Sequence, residues 1–242
     1  MSMSEDTYED FLLRRHREIG ALIAQAAGRS GRDASEVRAL AVSKTVGFEE
    51  VLAAWRAGWR AFGENRPQEL VRKLDAAQAT PEMAGVRFDM IGNLQKNKIN
   101  QVLGRATLVH SLSSEHLARA VSARSEARGL TTDVLLETNV SGEASKSGFS
   151  PDELRASAER LVGLSGIRVR GLMTMAPAHD ATAARRTFSG LRALAEDLRE
   201  RTGLALDVLS CGMSDDFSIA VEEGSTLVRL GRCVFDQDYR LH

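Results

Sequence analysis

Two cysteines in 242 residues, Cys211 and Cys233, are too few for a disulfide framework, and the compartment they imply is a reducing cytoplasm. An excess of charge is also missing. Lys and Arg total 32 against 33 Asp and Glu, a formal net charge of −1, so no field draws a polyanion and nucleic-acid binding through phosphate neutralisation is excluded. No run approaches the roughly 18 uninterrupted apolar residues of a spanning helix, and the first ten residues, MSMSEDTYED, are acidic rather than a basic lead into an apolar signal. Lysine is scarce: five of the 32 basic residues (Lys44, Lys73, Lys96, Lys98 and Lys146), the other 27 being arginine. Each lysine therefore invites individual inspection.

What is present is alternation. Residues 6–28 place Phe11, Leu12, Ile19, Leu22, Ile23 and Ala26 at helical spacing, with Gly28 as the stop. Short apolar runs follow, beginning near residues 38, 60, 87, 107, 133, 168, 206 and 226. Each reads as a buried strand, and each but the last precedes a helical pattern. Ser114 and Ser150 stand where N-caps belong, and Ser214 is predicted to open the helix that runs to Glu223. Regular strand-then-helix order points to a parallel sheet with helices outside it. Eight units predict a single (β/α)8 barrel over about 38–235 with an extra N-terminal helix, one domain spanning 1–242, within the roughly 250 residues such barrels take. An open doubly wound sheet is the alternative.

In a parallel barrel the chemistry lies at the C-terminal ends of the strands. Those ends carry Lys44, Gly63-Glu64-Asn65, Gly92-Asn93, His110-Ser111, Asn139, Met173-Thr174, Ser210 to Ser214 and Arg229 to Arg232. Lys44 directly follows an apolar strand, a position that favours a neutral, nucleophilic amine, although a lysine reaching solvent from a strand end is the plain structural reading. The loops SCGMSDD and RLGR pair glycines, Gly212 and Gly231, with Ser214, Arg229 and Arg232, at the place where barrels commonly hold phosphate. A lysine for an aldehyde, a phosphate loop and an arginine for a ring nitrogen together match pyridoxal 5′-phosphate (PLP). The five histidines are dispersed, which argues against a zinc site. The two cysteines read as packing residues, and Glu64, His110 and Asn139 as structural hydrogen-bonding groups.

Eight stretches carry a family resemblance: AVSKT at 41–45, FGEN with QE at 62–69, IGNLQKNK at 91–98, HSLSS at 110–114, NVSGEASKSGF at 139–149, RGLMTMAP at 170–177, GMSDD at 212–216 and VRLG at 228–231. In this order they resemble the pyridoxal phosphate homeostasis proteins, the YggS or PROSC family. The resemblance implies a barrel of the alanine racemase N-terminal type that holds PLP as a Schiff base on Lys44. Asn65 would lie near the ring and Arg229 would face its nitrogen, while Met213, Ser214, Gly231 and Arg232 would hold the phosphate. The sequence departs from the family pattern at Gly47, Asn93, Lys96, Asp215, Arg232 and the Phe235-Asp236 pair. Arg232 replaces a usual Ser or Thr, leaving its backbone N–H or its guanidinium to meet the phosphate.

The function expected on this reading is binding, homeostasis and delivery of PLP in the cytoplasm without turnover. Its partners would be PLP and PLP-dependent apo-enzymes, and the chain a monomer or weak dimer. A PLP-dependent amino-acid racemase or lyase is the alternative. Against it, two-base racemisation needs acid/base groups on both faces of the substrate, and the only tyrosines, Tyr8 and Tyr239, lie near the two ends of the chain. With the barrel using nearly all 242 residues, no room is expected for the second domain that supplies the second group in racemases.

Overall fold

A computed structural model describes residues 7–143 and 146–241; the predicted helix start at Asp6, and Ala144-Ser145 of the polar loop, lie outside the described residues. The chain alternates as α1 (Tyr8–Arg29), β1 (Arg38–Val42), α2 (Phe48–Arg56), β2 (Ala61–Glu64), α3 (Pro67–Gln78), β3 (Arg87–Met90), α4 (Ile99–Val102), β4 (Val109–Leu112), α5 (Glu115–Glu126), β5 (Thr132–Glu137), α6 (Pro151–Val162), β6 (Ile167–Met173), α7 (Ala181–Thr202), β7 (Val208–Ser210), α8 (Phe217–Glu222), β8 (Leu227–Leu230) and α9 (Arg232–Phe235). All eight strands pair in parallel and in sequence order, and β1 pairs with β8 to close the barrel. The open-sheet alternative is thereby set aside.

The strands are buried on both faces, which is why each reads as an apolar run rather than an alternation. Inward, Leu40, Leu108, Leu135, Met173, Val208 and Leu227 form one aliphatic cluster. Outward, Ala41, Phe62, Phe88, Met90, Val109, Val134, Leu136, Leu172, Leu209, Val228 and Leu230 join the helices in a second. Capping follows the sequence: the Ser114 hydroxyl accepts from the Leu117 N–H at 3.2 Å, and Ser150 with Glu153 forms a full capping box.

Several boundaries move. Gly28 does not end α1, which continues to Arg29 before the chain turns at Gly31 with φ +70°. Gly63 and Glu64 belong to β2 rather than to the loop after it, and β4 begins two residues later than predicted. The last helix unit starts at Phe217, not Ser214, because Asp216 Oδ1 captures the Met213 N–H at 2.6 Å and holds 213–216 as a turn. β8 is followed by a helix after all, the four-residue α9.

That shortness explains α1. It packs against α2, α8 and α9, in the part of the outer ring that a full helix after β8 would fill. The N-terminal helix therefore completes the ring and is not an appendage. Its buried stripe, Leu12, Ile19, Ile23 and Ala26, is the predicted apolar face.

Close approach rather than turn geometry fixes one glycine. A Cβ on Gly171 of β6 would stand 1.8 Å from the Val208 carbonyl oxygen of the neighbouring strand. Gly171→Ala is expected to destabilise the barrel by about 1–3 kcal/mol or more, read as a lower urea midpoint at an unchanged denaturant slope.

Candidate functional site

At the C-terminal rim Lys44 is exposed, one residue past Ser43, in the turn that follows β1. Directly behind it lies a buried ion pair. Lys73 Nζ donates to Glu64 Oε1 at 2.6 Å and to the Ser43 carbonyl at 2.6 Å, and Ser43 Oγ donates to the same Glu64 oxygen at 2.6 Å. Lys73 and Glu64 side chains are 1% and 0% exposed. This strut fixes the end of β1 against β2 and α3, and so fixes the backbone from which Lys44 projects. The spacing held a signal: Leu70, Lys73, Leu74 and Ala77 share the buried stripe of α3, and a lysine within such a stripe needs a partner. Glu64 Oε1 thus has a structural hydrogen-bonding role, while Oε2 is buried without a hydrogen-bond partner among the described residues.

On β8, the strand next to β1, Arg229 is buried. Its Nη1 donates to the Ser210 carbonyl at 2.8 Å and to Ser210 Oγ at 2.7 Å, and its Nη2 to the Thr174 carbonyl at 3.1 Å. Desolvation pulls its pKa down, opposed by Cys211, Asp216 and Glu137, yet a guanidinium stays charged. Burial pushes Glu137 and Asp216 upward. Below Arg229 the chain of bonds continues: His110 Nδ1 meets Ser210 Oγ at 3.1 Å and His110 Nε2 meets Asp89 Oδ2 at 3.1 Å. With a neutral imidazole that donates from Nε2 to Asp89, Nδ1 is left to accept the Ser210 hydroxyl proton. That neutral state follows from burial, which lowers the His110 pKa.

The two loops after β7 and β8 lie side by side. Ser214 Oγ accepts from the Cys233 N–H at 3.2 Å, so its hydroxyl proton remains to be donated. Among the described residues, the N–H groups of Ser214, Asp215, Gly231 and Arg232 find no acceptor in the protein, a cluster of donors suited to an anion. Gly212 has φ +92°, and a Cβ there would stand 2.6 Å from that of Ala220, so the loop requires glycine. Gly231 lies against Val42, its virtual Cβ 3.6 Å from the Val42 carbonyl oxygen, which sets these donors next to the strand that ends at Lys44. The Met213 N–H is already taken by Asp216, so Met213 offers only its exposed side chain. Asn65 is half-buried at the end of β2, and Gly92 must be glycine to pass its backbone.

Two departures from the family pattern compensate each other. Arg232 Nη2 pairs with Asp215 Oδ2 at 2.6 Å, and its guanidinium lies over the Tyr239 ring at 5.5 Å. Its side chain is committed, which leaves its backbone N–H for an anion. Tyr239, remote in sequence, reaches this loop: its hydroxyl meets the Ser214 carbonyl at 2.9 Å and Asp215 Oδ1 at 2.7 Å. Burial raises its pKa. Tyr8 donates to the Phe235 carbonyl at 3.0 Å and is pushed up to about 12, first by burial. Asn139 ties its own loop to Glu143, Lys146 and Gly142, again a structural role. Both cysteines are buried, which pushes Cys211 to about 12 and Cys233 to about 11. Among the described residues no group of three or more His, Cys, Asp or Glu side chains is arranged to hold a metal, and no helix is long and apolar enough to cross a membrane.

Residues 23–237 match the family described as alanine racemase, N-terminal domain. A pyridoxal phosphate homeostasis protein of Pseudomonas aeruginosa is 40% identical over 224 residues, covering 92% of this chain and 94% of the relative. One of Aquifex aeolicus is 36% identical over 216 residues, covering 89% and 93%. The chain belongs to the pyridoxal phosphate homeostasis protein family. Among solved structures, PipY of Synechococcus elongatus with PLP bound has a TM-score of 0.78 at 31% identity, covering 88% of this chain and 99% of that one. An alanine racemase of Corynebacterium glutamicum shares the fold at 17% identity and a TM-score of 0.65, with 60% of its chain covered.

Two outcomes follow from the buried polar groups. Lys73→Met orphans a buried carboxylate and is expected to cost about 3–5 kcal/mol, most of it recovered in Lys73→Met/Glu64→Leu, as read by urea denaturation. The pKa of His110 is depressed in the fold, so the unfolded chain binds more protons. Stability is expected to fall as pH drops below the ordinary histidine value of 6.5; urea midpoints at pH 7.5 and 5.5 test this, with a smaller difference in His110→Gln.

Proposed function

We propose that this chain binds PLP at the C-terminal rim and serves its intracellular homeostasis and delivery, as a carrier and not a catalyst. One observation carries the reading: an exposed lysine and a cluster of acceptor-free N–H groups share one end of the barrel, on adjacent strands, in a family whose Synechococcus member has PLP bound. When bound, the cofactor supplies an aldehyde that condenses with an amine, water leaving. Lys44 is the amine. The N–H groups of Ser214, Gly231 and Arg232, with the Ser214 hydroxyl, hold the phosphate, and Met213 covers it. Asn65 lies beside the ring.

Arg229 faces the ring nitrogen. Three of its five N–H groups are spent on Ser210 and Thr174, which locks the fork and leaves donors for a nitrogen lone pair. A fixed cation there keeps that nitrogen unprotonated and the ring a weak electron sink. Neither tyrosine offers a free second acid/base, since the hydroxyls of Tyr8 and Tyr239 are both engaged and their pKa values raised. These features favour a carrier over a racemase or lyase. The chain acts as one domain in the cytoplasm, where its buried thiols stay reduced, as a monomer or weak dimer that hands PLP to apo-enzymes.

Incubation with PLP, borohydride reduction and peptide mapping are expected to place the label on Lys44, with none in Lys44→Ala. A protein that stays unlabelled, or equally labelled in the variant, rejects the assignment. With L- or D-alanine the loaded protein is expected to leave optical rotation unchanged at enzymatic timescales; turnover that disappears in Lys44→Ala would establish the racemase instead.

A further inference from the structure

The opposite end of the barrel has chemistry of its own. A cavity of about 480 Å³ opens there, within the range of small-ligand sites. Arg38, Arg60 and Arg87 line it, at or just before the starts of the adjacent strands β1, β2 and β3, with Leu40, Leu108 and Leu227 as its inner floor. Inward-facing Leu40 and Asp89 stand two residues along from Arg38 and Arg87, so both arginines share that inward parity.

The rest of this rim is neutralised. Arg170 pairs with Asp133 and Asp207, each at 3.2 Å, and Arg168 pairs with Asp133 at 3.5 Å. Among the described residues no carboxylate pairs with Arg38, Arg60 or Arg87. Asp89, which also lines the cavity, is committed to His110. His16 on α1 is held below the ordinary histidine pKa by burial and by Arg60, so it adds no charge at neutral pH. Three cations thus face one carboxylate. Arg60 is preorganised, its Nη1 bonded to the Trp55 and Trp59 carbonyls and its guanidinium 4.4 Å from the Trp55 ring centroid. Trp59 lines the same cavity, is 2% exposed, and packs edge-on against the His16 ring at 5.1 Å, so it gives the cavity a fixed aromatic wall.

We propose that this basal cavity is a binding site for a small organic phosphate monoester with a flat apolar body. The arginines take the phosphate oxygens, and the leucine floor and Trp59 take the body. This site is separate from the Lys44 rim and does not depend on the reading given to that rim.

The test uses the full chain, whose only two tryptophans, Trp55 and Trp59, both stand at this end, so intrinsic fluorescence reports on it locally. Titration with phenyl phosphate is expected to give a saturable change, with inorganic phosphate binding more weakly because it lacks the apolar body. Arg38→Gln/Arg87→Gln, both at exposed positions, should weaken phenyl phosphate about tenfold or more, while Arg38→Lys/Arg87→Lys, which keeps the charge, should retain part of the binding. Circular dichroism confirms that each variant is folded. No saturable change, unchanged affinity in the glutamine variant, or equal affinity for inorganic and phenyl phosphate, an adventitious ion only, would each overturn the proposal.

Discussion

The pairing of β1 with β8 is the contact on which the rest depends. Register from Arg38↔Leu227 to Ala41↔Leu230 joins the first strand to the last and closes the barrel, leaving no edge of unpaired N–H and C=O groups. It also sets Gly231 against Val42, and so brings the loop after β8 to the strand that presents Lys44. Neither half of the rim has its shape without that ladder, because the lysine comes from one end of the chain and the arginine and glycine from the other.

Around this ladder, polar groups are buried in two separate arrangements. Lys73, Glu64 and Ser43 lie between the sheet and α3, where they hold the backbone beneath Lys44. Asp89, His110, Ser210 and Arg229 run through the barrel interior, from the basal cavity to the rim. Each member of this second set has its partner, and the low dielectric that makes an orphan expensive makes the satisfied set rigid. Arg229 is held by it in one orientation.

The eight strands were legible because a strand buried on both faces writes a continuous apolar run, and the capping serines because their chemistry is local. Boundaries slipped where a long-range contact decides them. The pattern Ser214-Asp215-Asp216 resembles a helix start, yet Asp216 turns back to the Met213 N–H and the helix begins later. The lysine and the two phosphate-type loops at the rim could be read from strand order alone. That Lys73 pairs with Glu64 is not legible because the carboxylate lies on another element, nor is the Asp215–Arg232 pair, because two separate departures from a family pattern give no hint that they touch. The basal arginines are likewise scattered in sequence at residues 38, 60 and 87, and only closure assembles them.

The place of α1 in the outer ring bears on how the chain reaches this state. α1 precedes β1 yet rests on α8 and α9, which come much later in the chain. Its stripe of Leu12, Ile19, Ile23 and Ala26 therefore stays partly uncovered through most of synthesis, a long-range closure of the kind that slows folding. The barrel is complete only when its beginning has waited for its end.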